Sequence, residues 1–334
     1  MPYTSISDVP DDIIEERNRL ITKVNNGRFW KSCPGTGAGY YCCGYQIITP
    51  LTGCGMYCSY CVLQEYYDHQ HQVLYDNFDD LAKEVKQGIE EWDGVIRFGT
   101  GEFCDSLYLE EKLGLSQKIA QLLEPYSNVL VEFKTKSATI SPMKNIDKPE
   151  KVVIGFSINT PHAIEQHEKG TASLEERLDA VKQCEKMGFW VAFHFDPMIW
   201  YSDWKEDYQS VVERIFSTIQ DPAHIAWWSL GGFRTIPALK NRLREHGRHL
   251  PLFSGEMIIG KDKKYRYFRP VRAEFYSAMQ EMIEKYYPDT ILYLCMESRE
   301  VWEEAGMLKR IPNGLVEYLD ERARVMLGMK EESN

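Results

Sequence analysis

Between residues 45 and 250 the chain alternates six times between a short apolar, strand-like run and a helix-like one. The strand candidates are Tyr45–Pro50, Gly94–Thr100, Asn128–Lys134, Lys151–Ile158, Trp190–Pro197 and Ile225–Leu230. Each is rich in Val, Ile, Phe or Trp and is bounded by polar, Gly or Pro residues. Helical patterns at Phe78–Trp92, Leu109–Tyr126, Ser173–Met187 and Trp204–Gln220 lie between them. A shorter element near Pro142–Ile146 fills the remaining gap, and Ile236–His246 follows the sixth strand. Repeats of this kind bury their apolar faces in a parallel sheet with right-handed crossovers. The expected fold class is α/β, and a partial (β/α)6 barrel of TIM type accommodates the pattern; in such barrels the active site lies at the C-terminal ends of the strands.

The flanks differ from this core. Residues 1–44 are expected to form an N-terminal cap with a Cys- and Gly-rich loop, residues 45–250 the barrel, and residues 251–334 a C-terminal α+β extension. An amphipathic helix is expected near Asp11–Val24. Phe253–Pro270 reads as a β-hairpin around the turn Gly260–Lys264. Beyond it come a helix near Val271–Tyr286, a strand at Thr290–Met296, and helices near Arg299–Ala305 and Gly314–Leu327. No apolar run reaches the ~20 residues of a membrane span. The start, M-P-Y-T-S-I-S-D-V-P-D-D, has neither the basic flank nor the apolar core of a signal peptide, so a cytoplasmic protein without a membrane partner is expected. A monomer is also expected. The net charge of −11 disfavours broad electrostatic binding to nucleic acid while leaving room for a local basic patch.

Nine cysteines in such a chain point to metal or redox chemistry. Cys54, Cys58 and Cys61 form a C-x3-C-x2-C triplet directly after the first strand. Three thiolates at this spacing suit an iron–sulfur cluster with one iron left open for a ligand. Zinc is the alternative, although its usual second C-x2-C is absent. Cys33, Cys42 and Cys43 precede the triplet in a Gly-rich loop. A second metal site is one reading of them. Ordinary thiols are the preferred one, because adjacent cysteines point in different directions.

The triplet is the signature of the radical S-adenosylmethionine (SAM) superfamily. Further stretches resemble its spore photoproduct lyase family, the radical-SAM relatives of DNA photolyases: T-G-C-G-M-Y-C-S-Y-C-V-L-Q, F-K-T-K at Phe133–Lys136, F-S-I-N at Phe156–Asn159, E-K-G-T-A-S-L-E-E-R-L at Glu168–Leu178, F-H-F-D-P-M at Phe193–Met198, K-Y-R-Y at Lys264–Tyr267 and Y-Y-P at Tyr286–Pro288. The resemblance runs from about Ile47 to Leu294; the first 45 residues look instead like an uncharacterised branch of that family. It implies a [4Fe–4S] cluster on Cys54, Cys58 and Cys61, whose open iron chelates SAM and whose electron splits it into methionine and a 5′-deoxyadenosyl radical. The electron would come from a reductant such as flavodoxin or ferredoxin. It also implies that Tyr60 lies against the cofactor and that Lys136 and Ser157 contact SAM.

Two positions depart from the lyase pattern. The lyase returns hydrogen to its product through a cysteine after the second strand and a tyrosine after the last cluster cysteine. Here Glu102 and Val62 stand at those places. Cys104 is therefore a candidate hydrogen donor or SAM neighbour, two residues from Glu102 and on the same side of the chain if the segment is extended. Glu102, in G-T-G-E, is a candidate ligand for the SAM amino group. His194 and Asp196 share a strand face by the same spacing, and Asp196 is the stronger candidate cofactor contact. Arg234 can clamp an anionic substrate or sit in solvent. The hairpin interleaves Lys261, Lys263, Lys264, Arg266 and Arg269 with Tyr265, Tyr267 and Phe268, a composition suited to nucleic acid, with a solvated hairpin as the alternative. Three functions compete: a radical-SAM enzyme on a nucleic-acid or nucleotide lesion, one on a small metabolite or peptide, and a non-catalytic iron–sulfur or zinc module.

Overall fold

The alternating pattern builds one curled sheet of eight strands in a computed structural model that describes residues 11–35, 39–245 and 251–329. Its strands are β1 (Trp30–Ser32), β2 (Gln46–Ile48), β3 (Ile96–Gly99), β4 (Val129–Thr135), β5 (Val152–Ser157), β6 (Trp190–Met198), β7 (Ile225–Gly232) and β8 (Leu292–Leu294). Their order in the sheet follows the chain. β1 and β2 are antiparallel, and every other neighbouring pair is parallel. β2 to β7 are the six expected strands. Among the described residues the two ends of the sheet do not pair with each other, so the architecture is a half-barrel.

Strands covered on both faces must be apolar throughout. β5 and β7 are buried along their whole length, and β4 is buried at all but one residue. The outer helices supply the cover. Phe78–Glu90 turns Leu81, Val85 and Ile89 inward, a four-residue spacing that repeats on one helical face. Leu174–Lys186 starts at a capping box, in which the Ser173 side chain accepts from Glu176 N–H and the Glu176 carboxylate accepts from Ser173 N–H.

Four elements differ from expectation. The N-terminal helix stops at Asn18, and Leu20–Lys23 is instead a strand parallel to Gln72–Tyr75. That pairing answers the backbone donors of a short β-branched run that a helix would otherwise have used. The helix expected at Leu109–Tyr126 breaks into Glu110–Leu113 and Leu115–Leu123 at Gly114, which adopts the left-handed conformation (φ 59°). The element near Pro142–Ile146 is a 3-10 turn, Ser141–Asn145. β8 arises from the expected C-terminal extension yet pairs with β7, Trp228 opposite Leu292. The hairpin is present as Ile258–Ile259 and Tyr265–Arg266. The expectations for residues 1–10, 36–38, 246–250 and 330–334 lie outside the described residues. Among the described residues no helix is long and apolar enough to cross a membrane.

Candidate active site

A cavity of about 530 Å³ opens at the C-terminal ends of the strands. Its lining includes Cys54, Cys58 and Cys61, together with Tyr60, Glu102, Cys104, Lys136, Ser157, Asp196, Arg234 and Lys264. The fold therefore gathers most of the sequence-nominated residues from seven separate stretches into one wall.

The rim is organised by a buried ion pair. Arg177 and Glu168 meet at 2.7 Å, with side chains 0% and 2% exposed. Arg177 also donates to the Ser157 carbonyl at 2.8 Å and to the Ala172 carbonyl at 3.0 Å, which ties the end of β5 to the following helix. Glu168 accepts a short hydrogen bond from the Tyr60 hydroxyl, and Glu168–Lys169 pairs antiparallel with Tyr57–Cys58. Burial pushes the Glu168 carboxyl up, but Arg177 and Lys136 outweigh it and hold the group below its ordinary value. These contacts fix the backbone on which two of the three motif cysteines stand.

Lys136 lies at the end of β4. Asp105 positions it by accepting from its backbone N–H at 2.7 Å and from the Thr135 hydroxyl at 2.7 Å. The Lys136 ammonium is 5.9 Å from the centre of the Tyr60 ring. Burial lowers its pKa, yet Glu168 and Cys58 outweigh that and keep it charged. Among the described residues, neither Lys136 Nζ nor Ser157 Oγ has a hydrogen-bond or salt-bridge partner, so both remain available to a ligand.

The remaining wall of the cavity, away from the motif thiols in sequence, is lined by groups that already have partners. Glu132 accepts from His194 Nε2 at 2.6 Å and from Trp227 Nε1 at 3.1 Å. Burial raises the Glu132 carboxyl, but His194 beside it more than offsets this and brings it to about 2. Lys134 donates to Glu102 at 2.8 Å. Arg234 grips Asp196 through two parallel bonds, of 3.0 and 2.9 Å. This bidentate pair requires Gly231, where a Cβ would come within 2.6 Å of the Asp196 carboxylate.

Several site expectations change in this light. Glu102 and Cys104 do not share an extended segment, because residues 101–104 form a turn and bends. Both nevertheless line the cavity. The Cys104 thiol donates to the Thr100 carbonyl at 3.3 Å, and burial first, then Cys54 and Asp105, push its pKa well up. Arg234 is neither solvated nor a free anion clamp, since Asp196 holds it. Arg266 is 1% exposed and bound to Asp262 and Glu297, at 2.7 and 3.8 Å, so it cannot reach a nucleic acid. Tyr267 turns inward, accepts from Trp200 N–H and packs on Phe233 and Phe275. Lys261 pairs with Glu300, Lys264 with Asp262 and Arg269 with Glu304. The basic hairpin is thus largely neutralised by Asp262 and by carboxylates of a later segment. Tyr265 is half-buried, with the Lys240 ammonium 5.6 Å from its ring centre.

The sequence reading missed Glu132, Lys134, Asp105 and the Glu168–Arg177 pair. The first two had a readable signal: in V-E-F-K they alternate on one face of a strand, the same spacing that singled out His194 and Asp196. Asp105 gave only a local turn signal, since it accepts from Leu107 and Tyr108 N–H at 3.0 and 2.9 Å, while the donors at Thr135 and Lys136 come from a distant segment.

A family model, that of Spore photoproduct lyase, matches residues 42–228. The chain belongs to the spore photoproduct lyase family. Among relatives, Spore photoproduct lyase of Clostridium acetobutylicum is 25% identical over 216 residues, a match covering 64% of this chain and 62% of that protein. The chain thus spans less than two thirds of that relative's length. A solved cysteine-variant Spore photoproduct lyase superposes with a TM-score of 0.74 at 19% identity, covering 87% of this chain and 88% of the other. A second variant, with bound AdoMet and dinucleoside spore photoproduct, gives 0.71 at 20% identity and covers 82% of each chain. These likenesses establish the fold.

Family membership implies an iron–sulfur cluster, and the thiols suit one. Cys54, Cys58 and Cys61 face the same cavity, and each lies near enough to influence another's ionisation. Among the described residues no group of three or more His, Cys, Asp or Glu side chains stands in ready-made metal geometry. Closure of the loop and loss of thiol protons would therefore accompany binding. Burial, then Asp105, holds the Cys54 thiol up at about 12, so this deprotonation is linked to the metal rather than to neutral pH.

Proposed function

We propose that this protein is a radical SAM enzyme acting on a nucleic-acid or nucleotide substrate. The supporting observation is that the motif thiols share one cavity at the C-terminal mouth of the half-barrel with Lys136 and Ser157, whose Nζ and Oγ have no hydrogen-bond or salt-bridge partner among the described residues. Cys54, Cys58 and Cys61 would hold the [4Fe–4S] cluster, which, with SAM and a flavodoxin- or ferredoxin-type electron donor, would supply hydrogen-abstracting radical chemistry at this cavity. Lys136 pairs with the SAM carboxylate, a charge-assisted contact. Ser157 hydrogen-bonds the SAM ribose or carboxylate. Tyr60, held by Glu168, forms a wall for the cofactor. Glu102 is committed to Lys134, so Cys104 is the candidate hydrogen donor or SAM neighbour. The substrate side of the cavity is formed by the Asp196–Arg234 pair and Lys264. The nucleic-acid assignment rests on the family, whose solved members include one complexed with dinucleoside spore photoproduct.

A second reading, a small metabolite or peptide as substrate, is favoured by the hairpin. Its cations are mostly paired, and the chain carries a net charge of −11. The test is anaerobic reconstitution and chemical reduction, with 5′-deoxyadenosine counted by chromatography. Formation above background supports the enzyme, and its complete absence leaves the non-catalytic metal module. Ultraviolet-damaged DNA or its dinucleotides should stimulate formation if the substrate is nucleic. Salt-dependent DNA binding that weakens on charge reversal of Lys261 and Lys263 supports the first reading. No binding at low salt favours the second.

A further inference from the structure

Cys33, Cys42 and Cys43 precede β2, and Cys295 follows β8 some 250 residues later in the chain. The half-barrel nevertheless brings them together. The Cys42 thiol hydrogen-bonds that of Cys43, and Cys33, Cys43 and Cys295 lie close enough to influence one another's ionisation. Cys33, Cys43 and Cys295 all line the cavity. None of the nine cysteines is in a disulfide. We infer that Cys33, Cys42, Cys43 and Cys295 form a second thiolate site, separate from the motif triplet, for a thiophilic metal centre of the iron–sulfide or zinc class.

The backbone around these thiols is fixed. Cys33 N–H donates to the Tyr45 carbonyl at 3.1 Å, and Cys295 N–H to the Leu230 carbonyl at 2.7 Å. Arg97 donates to the Cys43 carbonyl and pairs with Asp320 of the C-terminal helix at 2.7 Å. Donors are also directed at the sulfurs. Gly35 N–H points at Cys33 Sγ and Gly44 N–H at Cys42 Sγ, each at 3.4 Å, while Arg234 reaches Cys295 Sγ at 3.6 Å. The motif has the same arrangement, with Met56 N–H on Cys54 Sγ at 3.5 Å. Hydrogen bonds to sulfur favour the thiolate and tune a bound cluster. Gly35 leaves the space the sulfurs need, since a Cβ there would lie 3.3 Å from Cys33 Sγ and 3.0 Å from Met296 Sδ. Among the described residues neither thiol group stands at ligand distance, so the inferred site, like the motif triplet, requires its loop to close as metal binds. Thiol protons leave to solvent as the metal enters, with no change of oxidation state required of the protein.

The inference goes beyond the proposed reaction and is tested without it. A full-chain variant carrying Cys54→Ala, Cys58→Ala and Cys61→Ala lacks the motif site. It is supplied anaerobically with ferrous iron and sulfide, or separately with zinc, then desalted and its metal and sulfide counted. Retention of a metal centre, of either kind, is expected, with a loss of about tenfold or more when Cys33→Ala, Cys43→Ala and Cys295→Ala are added. A folded motif variant that keeps no more metal than the sixfold variant overturns the inference. If the motif variant does not fold, the native protein is compared with Cys33→Ala/Cys43→Ala/Cys295→Ala. Equal metal content then overturns it, and loss of one metal complement with the motif iron retained supports it. Failure to form 5′-deoxyadenosine would count against the proposed function and leave this measurement unaffected.

Discussion

The motif side of the cavity (its rim) and the remaining wall (its interior) are both rich in ionisable groups, but they use them in opposite ways. In the interior, Glu132 is matched by His194, Glu102 by Lys134, and Asp196 by Arg234. At the rim, the motif thiols, Lys136 Nζ and Ser157 Oγ face the cavity, with Arg177 and Glu168 behind them as support. A polar group withdrawn from water must find a partner. The interior supplies its own partners and so shapes the space. The rim leaves that role to ligands.

The largest expected effect falls on the rim. Cys58→Ala should bring 5′-deoxyadenosine formation down to background; turnover at an appreciable fraction of native would remove the thiol triplet from the proposed centre. Next comes the support beneath it. Arg177→Met leaves Glu168 buried without its partner, so a loss of about 3–5 kcal/mol is expected from the denaturant midpoint. A loss below about 1 kcal/mol would mean that the pair does not hold the rim together.

The interior is tested by acid. The Glu132 carboxyl has a folded pKa of about 2, below its ordinary 4.5, because His194 outweighs the opposing effect of burial. A depressed carboxylate contributes its full stabilisation above the unfolded value and loses it as pH falls through the folded one. Unfolding free energy should therefore drop by about 3 kcal/mol between pH 5 and 2 on this account. The drop should be visibly shallower in Glu132→Gln, and equal slopes in the two proteins would break the assignment. The smallest effect is on affinity. Lys136→Ala should weaken SAM binding about 10- to 100-fold by equilibrium dialysis, the value of a charge-assisted hydrogen bond. Unchanged affinity would move Lys136 from the ligand-binding rim to the self-satisfied class.

Much of this was legible before the fold was known. Six strands and the motif cysteines follow from local patterns: apolar runs, capping residues and the spacing of thiols. The residues read less well were those whose chemistry depends on a distant partner. His194 looked like a weak candidate because Glu132 lies 62 residues away. Arg234 was open between an anion clamp and a solvated side chain because Asp196 lies 38 residues away. The hairpin looked like a basic surface because the carboxylates of Glu297, Glu300 and Glu304 come from a later segment.

The sequence by itself determined the alternating α/β architecture, the thiol triplet and its place after the first strand of the repeat, since each is set by residues near one another in the chain. Only the tertiary structure decided which charges are spent on each other and which are left for ligands. It also brought Cys295 to the Cys33–Cys43 loop. Pairing energy depends on distance in space and on burial, and neither is written in the order of the residues.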